Sequence, residues 1–221
     1  MSVKCKICNS GTRISTHPKE GSVYYVCPVC EFISLDSKFY LNERQELERY
    51  GSHNNSVTDL RYVAYFKTFI EETIMNFIGE GKTGLDFGSG PEPVLATLLE
   101  RDYDFDMDVY DKFFASERVY VGKQYDLITS TEVVEHLDDP LNYFKVFKDS
   151  LKADGILAIM TQFHPVEDSV FWNWHYRRDP SHISFYTPRT MAKIASILGF
   201  EVLYSDAYKN TVFKHKRNAP S

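Results

Sequence analysis

Four cysteines lie in the first thirty residues, grouped as two Cys-x-x-Cys pairs, Cys5 with Cys8 and Cys27 with Cys30. Two such pairs at this separation are typical of a zinc site. Four thiolates complete a tetrahedron around the ion and leave no position for a substrate, so the sequence predicts a structural metal. Two disulfides are the alternative, although nothing in the sequence indicates the oxidising compartment that would favour them.

The residues around these cysteines predict a zinc ribbon over residues 1–35. Val23–Val26 is a short apolar strand that would deliver the second cysteine pair. A module of this size cannot bury an adequate hydrophobic core, so the metal would supply much of its folding free energy. His17 in place of one thiolate is an alternative. Basic residues outnumber acidic ones here, which leaves an RNA or protein contact open beside a solvated surface.

A glycine-rich turn in the middle of the chain directly follows a short apolar strand. The strand carries Asp86 near its end, the turn is Gly88-Ser89-Gly90, and Pro93 suits the first turn of a following helix. Such a turn lets free backbone N–H groups approach a ligand with no Cβ in the way. The stretch therefore predicts a binding site for a nucleoside-like ligand.

Two later strand ends supply the polar groups that such a ligand needs. Asp111 ends the second predicted strand about 20 positions beyond the turn, the usual distance for a carboxylate that binds ribose hydroxyls. Ser130, Thr131 and Glu132 follow the end of another strand, at the crevice where open α/β sheets bind ligands. A dinucleotide fingerprint needs a third glycine where Pro93 stands, so a nicotinamide or flavin dinucleotide is disfavoured.

These motifs, in this order, resemble the class I S-adenosylmethionine-dependent methyltransferases. Four segments carry the resemblance: the glycine turn at Leu85–Gly90, the fourth strand at Tyr125–Ser130, the segment Glu132–Leu137 after it, and the approach to the fifth strand at Leu151–Leu157. The resemblance implies an α/β fold with a Rossmann-like, mostly parallel seven-stranded sheet. The chain departs from the family at Glu92, where glycine is frequent.

The resemblance also implies which residues bind S-adenosylmethionine. Asp86 and the glycine turn would bind the methionine part, whose carboxylate would meet the N–H groups of the turn. Asp111 would bind both ribose hydroxyls, while Ser130, Thr131 and Glu132 would adjoin the cofactor or the acceptor. Contacts to the adenine ring are not assigned, because the third strand and its helix are abbreviated.

An aromatic and basic segment follows the predicted buried strand at residues 155–160. This segment, residues 163–186, would form a wall for a flat, partly apolar acceptor, including an anionic one. His182 is the first candidate for a general base or substrate anchor, because related proteins often carry a histidine in the same sequence motif. His164 and Tyr176 are further catalytic candidates. The alternative is that the aromatic rings cap the sheet edge and the histidines are structural.

A possible second metal site lies after the fourth strand. Glu132, Glu135 and His136 are spaced to share one helix face, and some related quinol O-methyltransferases bind a divalent ion near this segment. The alternative is a glutamate–histidine pair that only favours the positive end of a helix and the solvent.

Residues 36–80 predict a helical linker between the ribbon and the glycine turn. A charged helix over residues 36–51 leads to a polar loop with His53, Asn54 and Asn55, and an amphipathic helix follows that Gly79 ends. In similar bacterial methyltransferases the upstream segment forms a lid over cofactor and substrate, and the same is expected here by analogy.

Length and composition limit the remaining choices. The chain has 221 residues, 43% of them hydrophobic, and a net charge of −6. This predicts a zinc ribbon at 1–35, a helical linker or lid at 36–80 and a methyltransferase domain at 81–221. No apolar run approaches the roughly 20 residues of a membrane span, and no signal peptide is evident, so we expect a soluble cytoplasmic protein. The acidic balance argues against a broad nucleic-acid face.

The predicted function is methyl transfer from S-adenosylmethionine to a small aromatic, quinol or sugar-like acceptor by in-line displacement. Two alternatives stay open. An RNA methyltransferase would use the ribbon to contact RNA, and a non-catalytic cofactor-binding or scaffold protein would explain the negative charge of Glu92 beside the cofactor turn. The acceptor, the methylated atom and the oligomeric state are not predicted.

Overall fold

A computed structural model describes residues 3–51 and 56–216 of the chain. The strands are β1 (Arg13–Thr16), β2 (Val23–Val26), β3 (Ile33–Leu35), β4 (Thr83–Phe87), β5 (Asp106–Tyr110), β6 (Tyr125–Thr131), β7 (Leu151–Met160), β8 (Ser184–Phe185), β9 (Phe200–Ser205) and β10 (Asn210–His215). The α-helices are α1 (Glu43–Tyr50), α2 (Leu60–Phe69), α3 (Val94–Tyr103), α4 (Pro140–Asp149), α5 (Asp168–Asn173) and α6 (Pro188–Leu198).

The main sheet has the strand order β5-β4-β6-β7-β10-β9. The first four strands are parallel, and β10 is antiparallel to both β7 and β9, so the predicted mostly parallel α/β sheet is confirmed. The predicted count of seven strands is wrong for the described residues, which contribute six. Residues 112–124 form turns and one bridge between Asp111 and Ala115, because this connection is too short for a further parallel strand with its crossover.

The core fills both faces of this sheet. Alternate residues of β7 point to opposite faces: Leu157 and Ile159 pack with α4 and α6, whereas Ile156 and Ala158 pack with α2 and α3. All of these side chains are fully buried, as expected for a strand covered on both faces. Gly199 ends α6 with a φ of 71°, in the left-handed region that favours glycine.

The cysteine-rich segment shares a second sheet and a core with the rest of the chain. Strands β1, β2 and β3 form an antiparallel ribbon, and the short strand β8 from the carboxyl half joins its edge. Ile33 pairs with Phe185, and the N–H of Leu35 donates to the carbonyl of Ile183 at 2.9 Å. Phe32 of the ribbon lies in the same apolar cluster as Tyr186. The ribbon therefore packs against the chain that follows β7.

The linker differs in detail from its prediction. In place of one helix over residues 36–51, a 3₁₀ turn at Ser37–Phe39 precedes α1, and α2 continues as a π-helical turn over Ile70–Met75. The predicted lid residues His53, Asn54 and Asn55 lie outside the described residues. Within the described ranges, no helix is both long and apolar enough to cross a membrane.

Candidate active site

A cavity of about 880 Å³ lies where the carboxyl ends of β4, β5 and β6 meet α1 and α2. This volume falls in the usual range for small-molecule and cofactor sites. Asp86, Gly88, Gly90 and Asp111 line one end, and Glu132 and His182 line the other. We call the first the cofactor end and the second the acceptor end.

The glycine turn has the conformation that its sequence predicts. Gly88 has a φ of 86° and Gly90 has a φ of 70°, backbone angles that residues other than glycine rarely adopt. A Cβ on Gly88 would lie 2.2 Å from a methyl of Val133, whereas a Cβ on Gly90 would meet nothing within 4 Å. Gly88 is therefore required both by its backbone angle and by the side chain that packs against it.

The N–H groups of this turn bond within the fold, which contradicts their predicted role as free donors. The N–H groups of Gly88 and Ser89 donate to the carbonyl of Tyr110 at 2.7 and 3.2 Å, and that of Gly90 donates to Asp111 at 3.0 Å. The turn thus fixes the shape of the cofactor end. Its hydrogen-bonding capacity is used by the neighbouring strand β5.

Asp111 lines the cavity with its carboxylate held in place. One oxygen accepts from Gly90, and the other accepts from the N–H groups of Phe113 and Phe114 at 2.9 and 3.1 Å. Each carboxylate oxygen has two lone pairs, so Oδ1 is fully used and Oδ2 retains one acceptor site for a ligand. The carboxylate is oriented before any ligand arrives.

Asp86 and the end of β6 form the floor between the two ends. Asp86 is buried and accepts from the hydroxyl of Thr129 at 2.8 Å, and burial raises its pKa to about 6. Thr131 and Glu132 line the cavity as predicted. Ser130 does not, because it points to the opposite face of β6 and its hydroxyl is buried, so its predicted place beside the cofactor is wrong.

Two buried carboxyl groups meet at the acceptor end through a tyrosine. The hydroxyl of Tyr176 lies 2.9 Å from Oε2 of Glu132 and 2.5 Å from Oε1 of Glu135. Burial raises the pKa of both carboxyl groups, that of Glu132 to about 8 and that of Glu135 to about 7. Tyr176 itself is buried and outside the cavity, so its prediction as a catalytic group is wrong. It holds Glu132 instead, whose Oε1 has no partner among the described residues.

Two histidines complete the acceptor end. Nδ1 of His182 lies 2.7 Å from the carbonyl oxygen of Tyr176, and Nδ1 of His136 lies 2.9 Å from that of Ser181. A carbonyl only accepts, so both Nδ1 atoms carry hydrogen and both Nε2 atoms keep a free lone pair. Burial and the neighbouring ring of His136 lower the pKa of His182 to about 3. His182 is therefore neutral at pH 7.

The structure also regroups the predicted metal ligands of this region. Glu135, His136 and His182 offer ligand atoms that all lie within 4.8 Å of one another, so His182 takes the place that the sequence gave to Glu132. Val134–His136 is a 3₁₀ turn, so the expected helix face does not form. Two neutral imidazole lone pairs and one carboxylate are a donor set that suits a divalent transition metal.

His164 lies outside the cavity, between the ribbon and the chain after β7. Its Nε2 is 2.8 Å from the carbonyl of Glu31, and its Nδ1 is 2.9 Å from the carbonyl of Pro165. Both ring nitrogens are occupied by backbone oxygens and the ring is buried. The prediction of His164 as a catalytic residue is therefore wrong; it joins two parts of the fold.

Helix α1, part of the segment 36–80 expected to form a lid, supplies one wall of the cavity. Arg49 donates to Asp179 at 2.6 Å, and the ring of Tyr50 packs edge-on against His136 with 5.2 Å between ring centroids. Lys112 pairs with Glu46 at 2.7 Å across the opening. These contacts join segments far apart in the chain, and no local spacing indicates them.

The four cysteines form a compact cluster of sulfur atoms. Sγ of Cys5 lies 3.6 Å from that of Cys30, Sγ of Cys8 lies 3.4 Å from that of Cys27, and one atom from each lies within 4.8 Å of the others. A disulfide bond is about 2.05 Å long, whereas tetrahedral zinc with bonds of about 2.3 Å separates its sulfur ligands by about 3.8 Å. The sulfur–sulfur distances in the cluster fit ligands of one zinc ion better than disulfide bonds. His17 is not part of it.

Comparison with known proteins shows the family. A family model described as "Methyltransferase domain" matches residues 61–205, which is well over half of the chain. The chain belongs to this methyltransferase family. The match confirms the family that the glycine turn, Asp111 and the later motifs predict, and it begins beyond the cysteine ribbon.

The chain of this methyltransferase-domain protein is also similar to curated enzymes over a shorter span. It is 36% identical over 84 residues to a ubiquinone biosynthesis O-methyltransferase of Dinoroseobacter shibae, and 29% identical over 86 residues to one of Actinobacillus pleuropneumoniae. These alignments cover 38% of this chain and 33% and 37% of the relatives. The chain thus matches only about a third of the length of these relatives.

A solved structure supports the same fold. An O-methyltransferase family protein from Burkholderia thailandensis is 13% identical, with a TM-score of 0.54, and the match covers 79% of this chain and 64% of that chain. At this identity the likeness concerns the fold alone.

Proposed function

We propose that the protein transfers a methyl group from S-adenosylmethionine to a hydroxyl group of a small molecule. The observation that carries this proposal is the single cavity, which joins the cofactor end to a pair of buried carboxyl groups and a neutral histidine. The curated relatives are named as O-methyltransferases, which supports a hydroxyl acceptor.

In this proposal the cofactor end binds S-adenosylmethionine through two carboxylates. Asp111 would accept from a ribose hydroxyl with the remaining lone pair of Oδ2, and Asp86 would face the methionine ammonium. The turn at Gly88 lets the backbone approach the ligand closely. Because the turn N–H groups are occupied, the methionine carboxylate would find its donors elsewhere, and Tyr62 lines the same cavity.

The reaction is an in-line displacement at carbon. The acceptor oxygen forms a bond to the methyl carbon, the carbon–sulfur bond breaks, and sulfur keeps the electron pair. Alignment of the two reactants supplies most of the acceleration. The hydroxyl must also lose its proton, and Glu132 is the proton acceptor that we propose, because its raised pKa lies near neutral pH. His182 is too weak a base for this, and its Nε2 lone pair would bind the divalent cation proposed below.

The charges around the cavity favour an uncharged acceptor. The carboxylates of Glu43, Glu46, Asp138 and Asp179 line the outer part, and among the described lining residues Lys112 is the one lysine or arginine. An anionic acceptor, which the sequence left open, would meet repulsion there. A phenol, catechol, quinol or sugar hydroxyl suits this lining better.

Two metal ions enter the proposal with different roles. The cysteine cluster would hold a structural zinc ion, and Glu135, His136 and His182 would hold a divalent cation at the acceptor end. Such a cation lowers the pKa of a coordinated hydroxyl. Metal analysis of the purified protein tests both: one zinc per chain supports the cluster, and a second divalent ion that is lost in Glu135→Gln supports the acceptor-end site.

The two alternatives find less support. Two basic side chains of the ribbon already have partners in the chain, because Lys6 donates to the carbonyl of Asp138 at 2.7 Å and Arg13 pairs with Asp168. Both contacts are exposed, and they use part of the positive charge that an RNA would need. Glu92 accepts from the N–H of Val57 at 3.1 Å, so its carboxylate is engaged by the chain before α2.

The experiment that tests the proposal is transfer of a labelled methyl group. The protein is incubated with S-adenosylmethionine carrying a radioactive methyl and a panel of catechols, hydroquinones, sugars and transfer RNA. We expect label in a neutral hydroxylated compound and S-adenosylhomocysteine in equal amount. Label in RNA, with binding that weakens steeply as salt rises, would instead support the RNA alternative. Absence of cofactor binding would contradict the proposal.

A further inference from the structure

Arg177 is a buried cation between the ribbon and the acceptor end. Its side chain is 4% exposed. The guanidinium donates to both carboxylate oxygens of Glu20, at 2.8 and 3.1 Å, and to the hydroxyl of Tyr24 at 3.3 Å. It also donates to the carbonyl of Trp172 at 3.2 Å. A buried guanidinium with this many partners is fixed in position, because each lost partner would leave a buried donor unpaired.

The turn that carries Arg177 also carries the group that orients the acceptor end. Tyr176–Arg178 is a single 3₁₀ turn. The hydroxyl of Tyr176 holds Glu132 and Glu135, and its carbonyl oxygen accepts from Nδ1 of His182 at 2.7 Å. One residue next to Arg177 thus determines where two groups that line the cavity lie.

We propose that Arg177 is a positioning residue, through which the ribbon's Glu20 and Tyr24 fix Tyr176 and so place Glu132 and His182 for methyl transfer. The inference rests on the proposed function for its kinetic consequence. It assigns the ribbon a role in the acceptor half of the active site, and Arg177 touches neither substrate nor cofactor.

The ribbon is attached to the rest of the protein at other points, so loss of Arg177 should not detach it. Strand β3 pairs with β8, the hydroxyl of Thr190 donates to the carbonyl of Cys30 at 2.8 Å, and that of Thr187 donates to Glu31 at 2.8 Å. None of these contacts involves the turn Tyr176–Arg178. The effect of Arg177 on the acceptor end can therefore be separated from the effect of docking.

The cofactor end provides the internal reference. Gly88, Asp86 and Asp111 bond to β5, β6 and the turns that follow β5, and these hydrogen bonds do not reach the ribbon. If Arg177 acts only on the acceptor end, its replacement leaves the affinity for S-adenosylhomocysteine unchanged. A general loss of structure would weaken both ends together.

The experiment compares Arg177→Met, Arg177→Lys and Glu20→Gln with the matched control Arg178→Met. Arg178 is exposed, follows Arg177 directly, and donates to the carbonyl of Asn173 at 3.1 Å. Three quantities are measured: the Kd of S-adenosylhomocysteine by calorimetry, hydrogen exchange of residues 176–184 and 85–90 by mass spectrometry, and methyl transfer to catechol as kcat and KM.

We expect Arg177→Met to lower kcat about tenfold to a hundredfold, since misplacement by about 1 Å costs this much, while the Kd of S-adenosylhomocysteine stays within about twofold. Hydrogen exchange should rise in residues 176–184 and stay unchanged in 85–90. Arg177→Lys keeps the charge and should recover part of kcat, and Glu20→Gln should show a smaller loss. Arg178→Met should resemble the wild type.

Several outcomes would overturn the proposal. One is unchanged exchange in residues 176–184 of a folded Arg177→Met; another is an equal loss of cofactor affinity. A decrease in Arg178→Met as large as in Arg177→Met is a third. If Arg177→Met does not fold, Glu20→Gln decides by the same measurements, because Glu20 is half exposed. If the wild type transfers no methyl to catechol, that result counts against the proposed function for this acceptor, and hydrogen exchange alone decides the role of Arg177.

Discussion

The two ends of the cavity are built in different ways. The cofactor end comes from one continuous stretch, β4 with its glycine turn, and from Asp111 at the end of the neighbouring strand. The acceptor end combines α1, the chain after β6, the turn Tyr176–Arg178 and the segment that joins the ribbon. Residues close in sequence therefore define where the cofactor lies, and contacts between distant segments define where the acceptor lies.

Because of this difference, the ribbon is connected to the acceptor end more directly than to the cofactor end. Strand β3 pairs with β8 immediately after His182, and the buried pair of Arg177 and Glu20 adds a second connection. The hydrogen bonds of Gly88, Asp86 and Asp111 at the cofactor end make no comparable connection to the ribbon. Changes in the ribbon should therefore affect the acceptor end first, and the following predictions test this contrast in order of expected effect.

Removal of zinc should have the largest effect. A structural zinc contributes about 10 kcal/mol or more to the folding of small modules, so Cys27→Ser should unfold the ribbon and abolish methyl transfer. The affinity for S-adenosylhomocysteine should change much less, because the cofactor end is built from other segments. Calorimetry measures the cofactor affinity and hydrogen exchange measures the unfolding of the ribbon, and Cys27→Ser is compared with the exposed control Thr16→Ala. Equal loss at both ends would contradict the contrast.

Glu132→Gln should lower kcat about 10²-fold to 10⁴-fold, the usual contribution of a general base, without changing cofactor affinity.

The stability of the wild-type protein should also depend on pH through the carboxyl group of Glu132. Burial raises the pKa of Glu132 to about 8, so the stabilising effect of its proton is complete below pH 4.5 and is lost as pH rises through 8.

Glutamine stays uncharged at every pH and resembles the protonated acid. Thermal unfolding of the ligand-free protein should therefore give Glu132→Gln a higher Tm than the wild type at pH 8.5 and a similar Tm at pH 5. A lower Tm at pH 8.5 would show that the charged carboxylate is stabilised by a partner, such as a bound cation.

Asp111→Ala should weaken cofactor binding about 10-fold to 100-fold, because a hydrogen bond to a charged acceptor contributes about 1.5–3 kcal/mol. The variant also removes the acceptor for the N–H of Gly90, so the turn itself should loosen. Asp111→Asn serves as the matched variant with intermediate affinity. Hydrogen exchange in residues 176–184 should not change, and a change there would link the two ends.

Gly88→Ala and Gly90→Ala form a pair that isolates a steric clash from backbone strain. Both positions have positive φ, but only at Gly88 would a Cβ meet Val133, at 2.2 Å. We expect Gly88→Ala to lose about 1–3 kcal/mol more stability than Gly90→Ala in urea unfolding, the usual cost of overpacking. Equal losses would mean that Val133 moves without cost.

The cofactor end could be predicted from the sequence because its signals are local. A strand, a glycine turn and an acidic residue at a fixed distance need no knowledge of tertiary contacts, and Asp86, Gly88 and Asp111 all line the cavity. The exception is the turn N–H groups. Their partner is the carbonyl of Tyr110, and sequence patterns do not show which backbone groups are already paired.

The acceptor end could be predicted only in part. His182 and Glu132 line the cavity as expected, whereas His164 and Tyr176 have the right residue types but lie behind it. The spacing of aromatic and basic residues after β7 indicates a site nearby, but not which side chains face it. Those directions depend on the pairing of β8 with the ribbon, and two residues of strand carry too little pattern to predict it.

The central claim is that one cavity places the sulfonium of the cofactor between the glycine turn and the acceptor end. A crystal structure of the complex with S-adenosylhomocysteine and zinc tests this most directly. The account predicts a ribose hydroxyl within hydrogen-bond distance of Asp111 and a sulfur atom that faces Glu132 and His182. A complex in which the ribose lies away from Asp111, or in which the sulfur faces away from Glu132, would contradict it.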